Sequence, residues 1–161
     1  MATPPEGKIL IQNSETSDGL AFEHQLDELL QAVMLCNDAS IEERENKWIP
    51  QGDPTELALI IVGRKKGLNE TKLRIDYPKI DVLPFDSEKR IMATLNTTPL
   101  NGKTIFLKGA PEVVISLLQL DSNEKSFHSE SLIHEQVTNM TRQGMRVIAV
   151  AKKCQLRLQF N

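Results

Sequence analysis

The sequence predicts an α+β domain in which a central twisted antiparallel β-sheet is flanked by α-helices, and three observations carry that prediction. Strand-like blocks at residues 79–85, 90–97 and 103–108 follow one another with no helix between them, and Asn101-Gly102 is a hairpin signal joining the last two. Helical periodicity comes before and after that block rather than alternating with it, which argues against regular βαβ repeats. A returning strand is expected at 145–152. A length of 161 residues with 40% hydrophobic content suits one core, hence one domain over 1–161.

Taken in order, residues 8–12 read as a short strand and the polar stretch 13–19 as a loop. Between about residues 24 and 36, Leu26, Leu29, Leu30, Val33 and Met34 recur at three- and four-residue spacing opposite Asp27, Glu28 and Gln31, which predicts an amphipathic helix. Asn37-Asp-Ala-Ser40 is its terminator. Residues 41–51 are charged and punctuated by Pro50. Asp53-Pro-Thr-Glu56 supplies an N-cap acid, a first-turn proline and an N3 glutamate, opening a helix over 54 to about 66. Gly67 ends it, and residues 70–74 carry a weak helical signal. Beyond the strand block, 111–120 and 128–142 read as helices, the second with Leu132, Ile133, Val137 and Met140 along one side. Residues 156–160 form a last short strand or a frayed end.

Composition removes several function classes. A net charge of −3 without a basic run gives no footprint for nucleic acid or an anionic membrane surface. Cys36 and Cys154 lack metal-type spacing and read as free thiols in a reducing compartment. The apolar run Leu57-Ala-Leu-Ile-Ile-Val62 is far short of the roughly 20 residues that span a bilayer, and no signal peptide opens the chain. There is no Walker A run, GxGxxG or HExxH. His24, His128 and His134 are scattered without evident partners, so no residue is nominated as catalytic and none as a metal ligand.

Lys108-Gly-Ala-Pro-Glu112 is the most informative stretch. It sets an ammonium at the end of the apolar strand Thr104-Ile-Phe-Leu107; Gly109 clears room for a close approach to the backbone, and Pro111 suits a first helical position. A lysine there is costly if buried without an anion, so Lys108 either has a structural counter-ion or serves a ligand. Glu56 is either a capping-box acid or an acceptor for an exocyclic amino group such as that of adenine. Phe85, at a strand end beside Asp86-Ser-Glu-Lys, is either core or a face for a base. Lys89 and Arg90 are a solvated edge of which at most one, as strand neighbours, can serve a pocket. Arg146 repeats the pattern of a cation on an apolar strand, as an ion-pair partner or a phosphate contact.

The ordered set Leu35-Cys-Asn-Asp38, Gly52-Asp-Pro-Thr-Glu-Leu-Ala-Leu59, Pro84-Phe-Asp-Ser-Glu-Lys-Arg90, Phe106-Leu-Lys-Gly-Ala-Pro-Glu112 and Gly144-Met-Arg-Val147 resembles the nucleotide-binding domain of P-type cation-transporting ATPases, type II and calcium-pump-like. The resemblance covers nearly the whole chain. It implies that Phe85 stacks on adenine, Glu56 holds the adenine amino edge, Lys108 lines the depth of the adenosine pocket with Gly109 beside it, and Arg146 reaches toward the phosphates. Arg90 stands where many calcium-pump relatives have a lysine, and Ser87 where some have an arginine; a planar guanidinium is not equivalent to a compact ammonium.

The same resemblance implies a cytoplasmic domain of a membrane-embedded pump that binds ATP and presents its γ-phosphate to an aspartate in another domain. The phosphorylation and actuator domains of that pump would be its partners, and the Mg²⁺ site would lie mainly outside this chain. Residues 1–12 and 152–161 would be the severed connections to the phosphorylation domain. No Asp-Lys-Thr-Gly-Thr loop is present, so the isolated domain is expected to bind without catalysing; in isolation it is expected to be a monomer. The rival expectations are a stand-alone nucleotide-sensing or interaction module without pump activity, and a purely structural domain.

Overall fold

The computed structural model describes Gly7, Ile9 and residues 19–45, 47–100, 102–121 and 127–155. Apart from Ile9, the expected strand at 8–12 lies outside the described residues, as do nearly all of the loop at 13–19, the segment 156–160 and residues 1–6. The described elements are α1 (Gly19–Leu35), β1 (Ser40–Arg44), β2 (Lys47–Gln51), α2 (Pro54–Lys65), α3 (Glu70–Asp76), β3 (Lys79–Asp86), β4 (Ile91–Thr97), β5 (Lys103–Gly109), α4 (Pro111–Asp121), α5 (Phe127–Arg142) and β6 (Ala149–Gln155). The expected α+β class holds. Strands β3-β4-β5-β6 form an antiparallel sheet in that order, and β1-β2 form a separate ribbon.

The end of α1 organises the interior because it is apolar on two sides. Ala32, Leu35 and Cys36 pack on Met92 and Phe106 of the sheet, while Met34 packs with Ala39, Ile41 and Ile60 toward α2 and the ribbon. Leu29, expected on the buried stripe, is exposed, since only the last turns of α1 are enclosed on both sides. Gly63 lets α1 and α2 approach closely: a Cβ there would fall 2.1 Å from Met34 Sδ. Along β4 and β5, Met92, Thr94, Asn96, Thr104, Phe106 and Lys108 are buried while the residues between them are not, the period of two expected of a sheet with one enclosed face.

Three boundaries depart from expectation, each for a physical reason. Residues 41–51 form most of the β1-β2 ribbon, in which Ile41 pairs with Pro50; both strands have a free edge, where a missing proline N–H costs nothing. Arg90 is not in a strand: it closes the turn after β3 with φ +56, and Asp86 Oδ1 accepts from the amides of Glu88 (2.8 Å) and Lys89 (3.1 Å). The alternation expected of Lys89 and Arg90 as strand neighbours therefore does not apply. The returning strand β6 starts at Ala149, not 145, because Ala149 pairs with Gly109, the last residue of β5, and the residues before it have no strand to join. Arg146 thus sits in the connection ahead of β6. In addition, α3 runs through Asp76, longer than its weak signal, with Asn69 capping it by accepting from Lys72 N at 2.9 Å. Among the described residues no helix is long and apolar enough to cross a membrane.

Candidate functional site

Lys108, near the end of β5, points to the enclosed face of the sheet, and Glu56, in the first turn of α2, meets it there. Lys108 Nζ donates to Glu56 Oε1 at 2.6 Å, with side chains 7% and 17% exposed. The buried lysine therefore has its anion. Asp53 is the N-cap acid, as expected, its Oδ1 accepting from the amides of Thr55 (2.8 Å) and Glu56 (3.3 Å), while the Glu56 carboxylate meets Lys108. The Thr55 amide holds the Asp53 carboxyl below its ordinary range, with a smaller contribution from the charge of Arg146.

Arg146 reaches the same helix start, its Nη1 donating to Thr55 Oγ1 at 2.8 Å. Glu56, Lys108 and Arg146, separated widely in sequence, are thus gathered around one helical turn. Phe85 is 62% exposed, so the core role open to it is excluded. Leu83 pairs with Ala93 and Asp86 with Ile91, so Pro84 and Phe85 bulge opposite Met92, whose other partner is Lys108. Phe85 therefore lies level with Lys108 across one intervening strand, at a backbone separation of about 10 Å.

Arg90 and Gly109 are placed differently. Arg90 Nη1 lies 2.5 Å from Glu112 Oε1 in the first turn of α4, and Lys89 Nζ lies 3.8 Å from Asp86 Oδ2. What approaches Gly109 is the backbone of Arg90: a Cβ on Gly109 would fall 2.4 Å from Arg90 O, which also accepts from Ala110 N at 3.0 Å. A cavity of about 310 Å³ lies elsewhere, between α5 and the residues entering β6, lined by Leu132, Ile133, Val137, Met140 and Ile148 among others; none of the six nominated residues lines it.

Other expectations resolve simply. Both cysteines are free, Cys154 exposed and Cys36 buried, with burial pushing the Cys36 thiol up to about 11. His24 is a surface histidine, its side chain 75% exposed, with Glu28 Oε2 3.8 Å from Nδ1 one helical turn on. Among the described residues no group of three or more His, Cys, Asp or Glu side chains is placed to hold a metal ion. Two residues at the site were not nominated from sequence. Thr55 carries no signal beyond its place in the capping segment, whereas Asn37 is fully buried, and its signal was a polar residue directly after a long apolar stripe.

The family model described as P-type ATPase, cytoplasmic domain N, matches residues 25–157. The chain is 38% identical over 131 residues to the cation-transporting ATPase pma1 of Synechocystis, covering 80% of this chain and 14% of that protein. It is 31% identical over 157 residues to a calcium-transporting ATPase of Bacillus subtilis, covering 91% of this chain and 17% of the relative. Calcium-transporting ATPase 1 of Lactococcus lactis is 38% identical over 130 residues, 78% of this chain and 14% of its own length. The chain therefore spans about a seventh to a sixth of the length of these relatives. Five ordered motifs, an antiparallel sheet with flanking helices and a family match across most of the sequence converge, and the chain belongs to the cytoplasmic N domain family of the P-type ATPases.

Proposed function

We propose that this domain binds ATP at the end of α1 and the start of α2, with Phe85 stacking on adenine, Glu56 accepting from the adenine amino group, Lys108 at the depth of the pocket and Arg146 toward the phosphates. Within a cation pump it would present the γ-phosphate to an aspartate of the phosphorylation domain. The single observation that carries this reading is the Lys108–Glu56 contact of 2.6 Å, with an aromatic ring left 62% exposed at the same level of the sheet. An apolar core gains nothing from an enclosed ion pair, which is often no better than hydrophobic replacements, whereas a polar ligand gains a donor and an acceptor already fixed in place. An exposed phenylalanine at the same level forgoes core burial and leaves a face free, and base stacking on such a face is worth about 1–3 kcal/mol.

One stack and a few partly exposed hydrogen bonds, less the entropy of association, leave roughly 4–5 kcal/mol, a dissociation constant of about 0.1–1 mM. Gly109 supports the site indirectly, by letting the Arg90 turn close on β5. Arg90 joins the phosphate contacts in this reading by exchanging Glu112 for the ligand. Mg²⁺ would enter with the nucleotide and be held mainly by the phosphorylation domain.

An amide NMR titration of the isolated domain with ATP and GTP tests the reading. ATP is expected to shift resonances around Glu56, Phe85 and Lys108, more strongly than GTP. Phe85→Ala and Lys108→Ala are each expected to weaken binding at least fivefold. ATP binding unchanged in both variants would overturn the assignment.

A further inference from the structure

Asn37 has no polar chemistry to offer a ligand directly, because its side chain is fully enclosed. Its hydrogen bonds nevertheless converge on the site. Nδ2 donates to Val33 O (3.3 Å), on the last turns of α1, and to Glu56 O (3.0 Å), in the first turn of α2. Oδ1 accepts from Ala39 N at 2.8 Å, and the Asn37 carbonyl accepts from Lys79 Nζ at 3.2 Å. One side chain therefore satisfies an α1 carbonyl, the amide that starts the outgoing chain, and the backbone of Glu56.

Its neighbour Cys36 makes the complementary contact. Cys36 Sγ lies 3.5 Å from Met92 O, and Met92 is the cross-strand partner of Lys108. Glu56 and the strand pair holding Lys108 are thus both referred to two consecutive residues at the end of α1. The ribbon completes the joint: with Ser40 paired to Gln51, the chain returns so that Gly52, at φ +113, meets Ala39, where a Cβ would fall 2.8 Å from Ala39 Cβ. Arg74 Nη2 and Arg64 Nη2 clamp the outgoing chain through the carbonyls of Ala39 (3.0 Å) and Ile41 (2.7 Å), and both guanidiniums are paired to Glu70.

We infer that Asn37 is a positioning residue of the nucleotide site, setting the separation of Glu56 from Lys108 through its bond to the Glu56 carbonyl. The inference rests on the ATP reading above and adds a residue to it. Asparagine suits the post because it donates and accepts from one planar group; serine is too short to reach both α1 and α2, and aspartate offers no donor to a carbonyl. A buried donor with two carbonyl partners also resists displacement, since leaving those carbonyls unpaired is costly.

The test is Asn37→Ser in the same domain, titrated with ATP and GTP well below its unfolding midpoint. ATP is expected to bind five- to tenfold more weakly, with GTP nearly unchanged, so that the ratio of the two dissociation constants falls toward one. A purely structural asparagine would lower the unfolding midpoint and leave that ratio where it was. In the wild type, the Asn37 side-chain amide signals are expected to move with ATP at the same midpoint as Glu56, a readout that survives if the variant does not fold. Wild-type binding with static Asn37 signals, or an unaltered ATP-to-GTP ratio in the folded variant, overturns the inference alone. Failure of the wild type to bind ATP overturns the nucleotide reading and takes this one with it.

Discussion

Lys108 and Glu56, 52 residues apart, share a 2.6 Å hydrogen-bonded ion pair between the enclosed face of the sheet and the first turn of α2. The two partners are not equally enclosed, with side chains 7% and 17% exposed. Removing one member of a buried pair strands the other charge, so the cost depends on which charge is left. Glu56→Gln leaves the more deeply placed ammonium without its anion and is expected to destabilise the domain by about 3 kcal/mol. Lys108→Met leaves a carboxylate that can turn toward water, and about 1–2 kcal/mol is expected. Urea unfolding of the single variants and of the double variant checks this; the double variant should lose less than the sum.

Cys36 gives the fold an alkaline limit. Burial raises its thiol from 9.0 to about 11, so between those values the unfolded chain has released a proton that the folded chain retains. Stability from this group is complete below about pH 9 and falls as pH rises toward 11, with a slope approaching about 1.4 kcal/mol per pH unit. Unfolding midpoints between pH 8 and 10.5 should therefore decline more steeply in the wild type than in Cys36→Ala. In native protein a thiol reagent should modify exposed Cys154 and spare Cys36 until the chain unfolds.

Gly109→Ala should act through Arg90. The added methyl would meet the Arg90 carbonyl at 2.4 Å and Ile91 Cγ2 at 2.8 Å, and the carbonyl belongs to backbone already held by Ala110 N. The turn must move, at an expected cost of about 1–3 kcal/mol. Denaturant midpoints measure that cost, and amide shifts confined to the turn and the start of α4 would locate the movement. A variant as stable as the wild type would refute this account of the glycine.

Much of the fold was legible because it is written locally. The proline and acid of Asp53-Pro-Thr-Glu56 announce α2, and Asn101-Gly102 announces the β4-β5 hairpin, each through a preference of a few adjacent residues. The β1-β2 ribbon was not legible, because Glu42, Glu43 and Arg44 give no apolar alternation and Pro50 speaks against a strand; only Ile41 is buried by it. At the site, Lys108 signalled that it needed an anion, and Glu56 that it could be one. That each answers the other is a tertiary fact, settled by α1 packing on both the sheet and α2. In the sequence Asn37 reads as a helix terminator, a role that does not reveal its bond to Glu56, 19 residues on.

Arg90 offers a case in which loss of a contact should improve binding. Its guanidinium is held at 2.5 Å by Glu112, with side chains 53% and 51% exposed, so the pair is water-screened and worth only about 0–1 kcal/mol. If Arg90 must leave Glu112 to meet a phosphate, that amount opposes binding, and Glu112 itself repels the incoming anion. Glu112→Gln removes both effects and is expected to tighten ATP by about two- to fivefold, the factor that roughly 0.4–1 kcal/mol represents. Adenosine, which has no phosphate, should bind the variant and the wild type alike. The gain for ATP should shrink as salt rises, since exposed charges are screened beyond about 8–10 Å at ordinary ionic strength. Equal affinities of the two proteins for ATP at low salt would place Arg90 outside the phosphate contacts and leave its bond to Glu112 as a brace between the turn and α4.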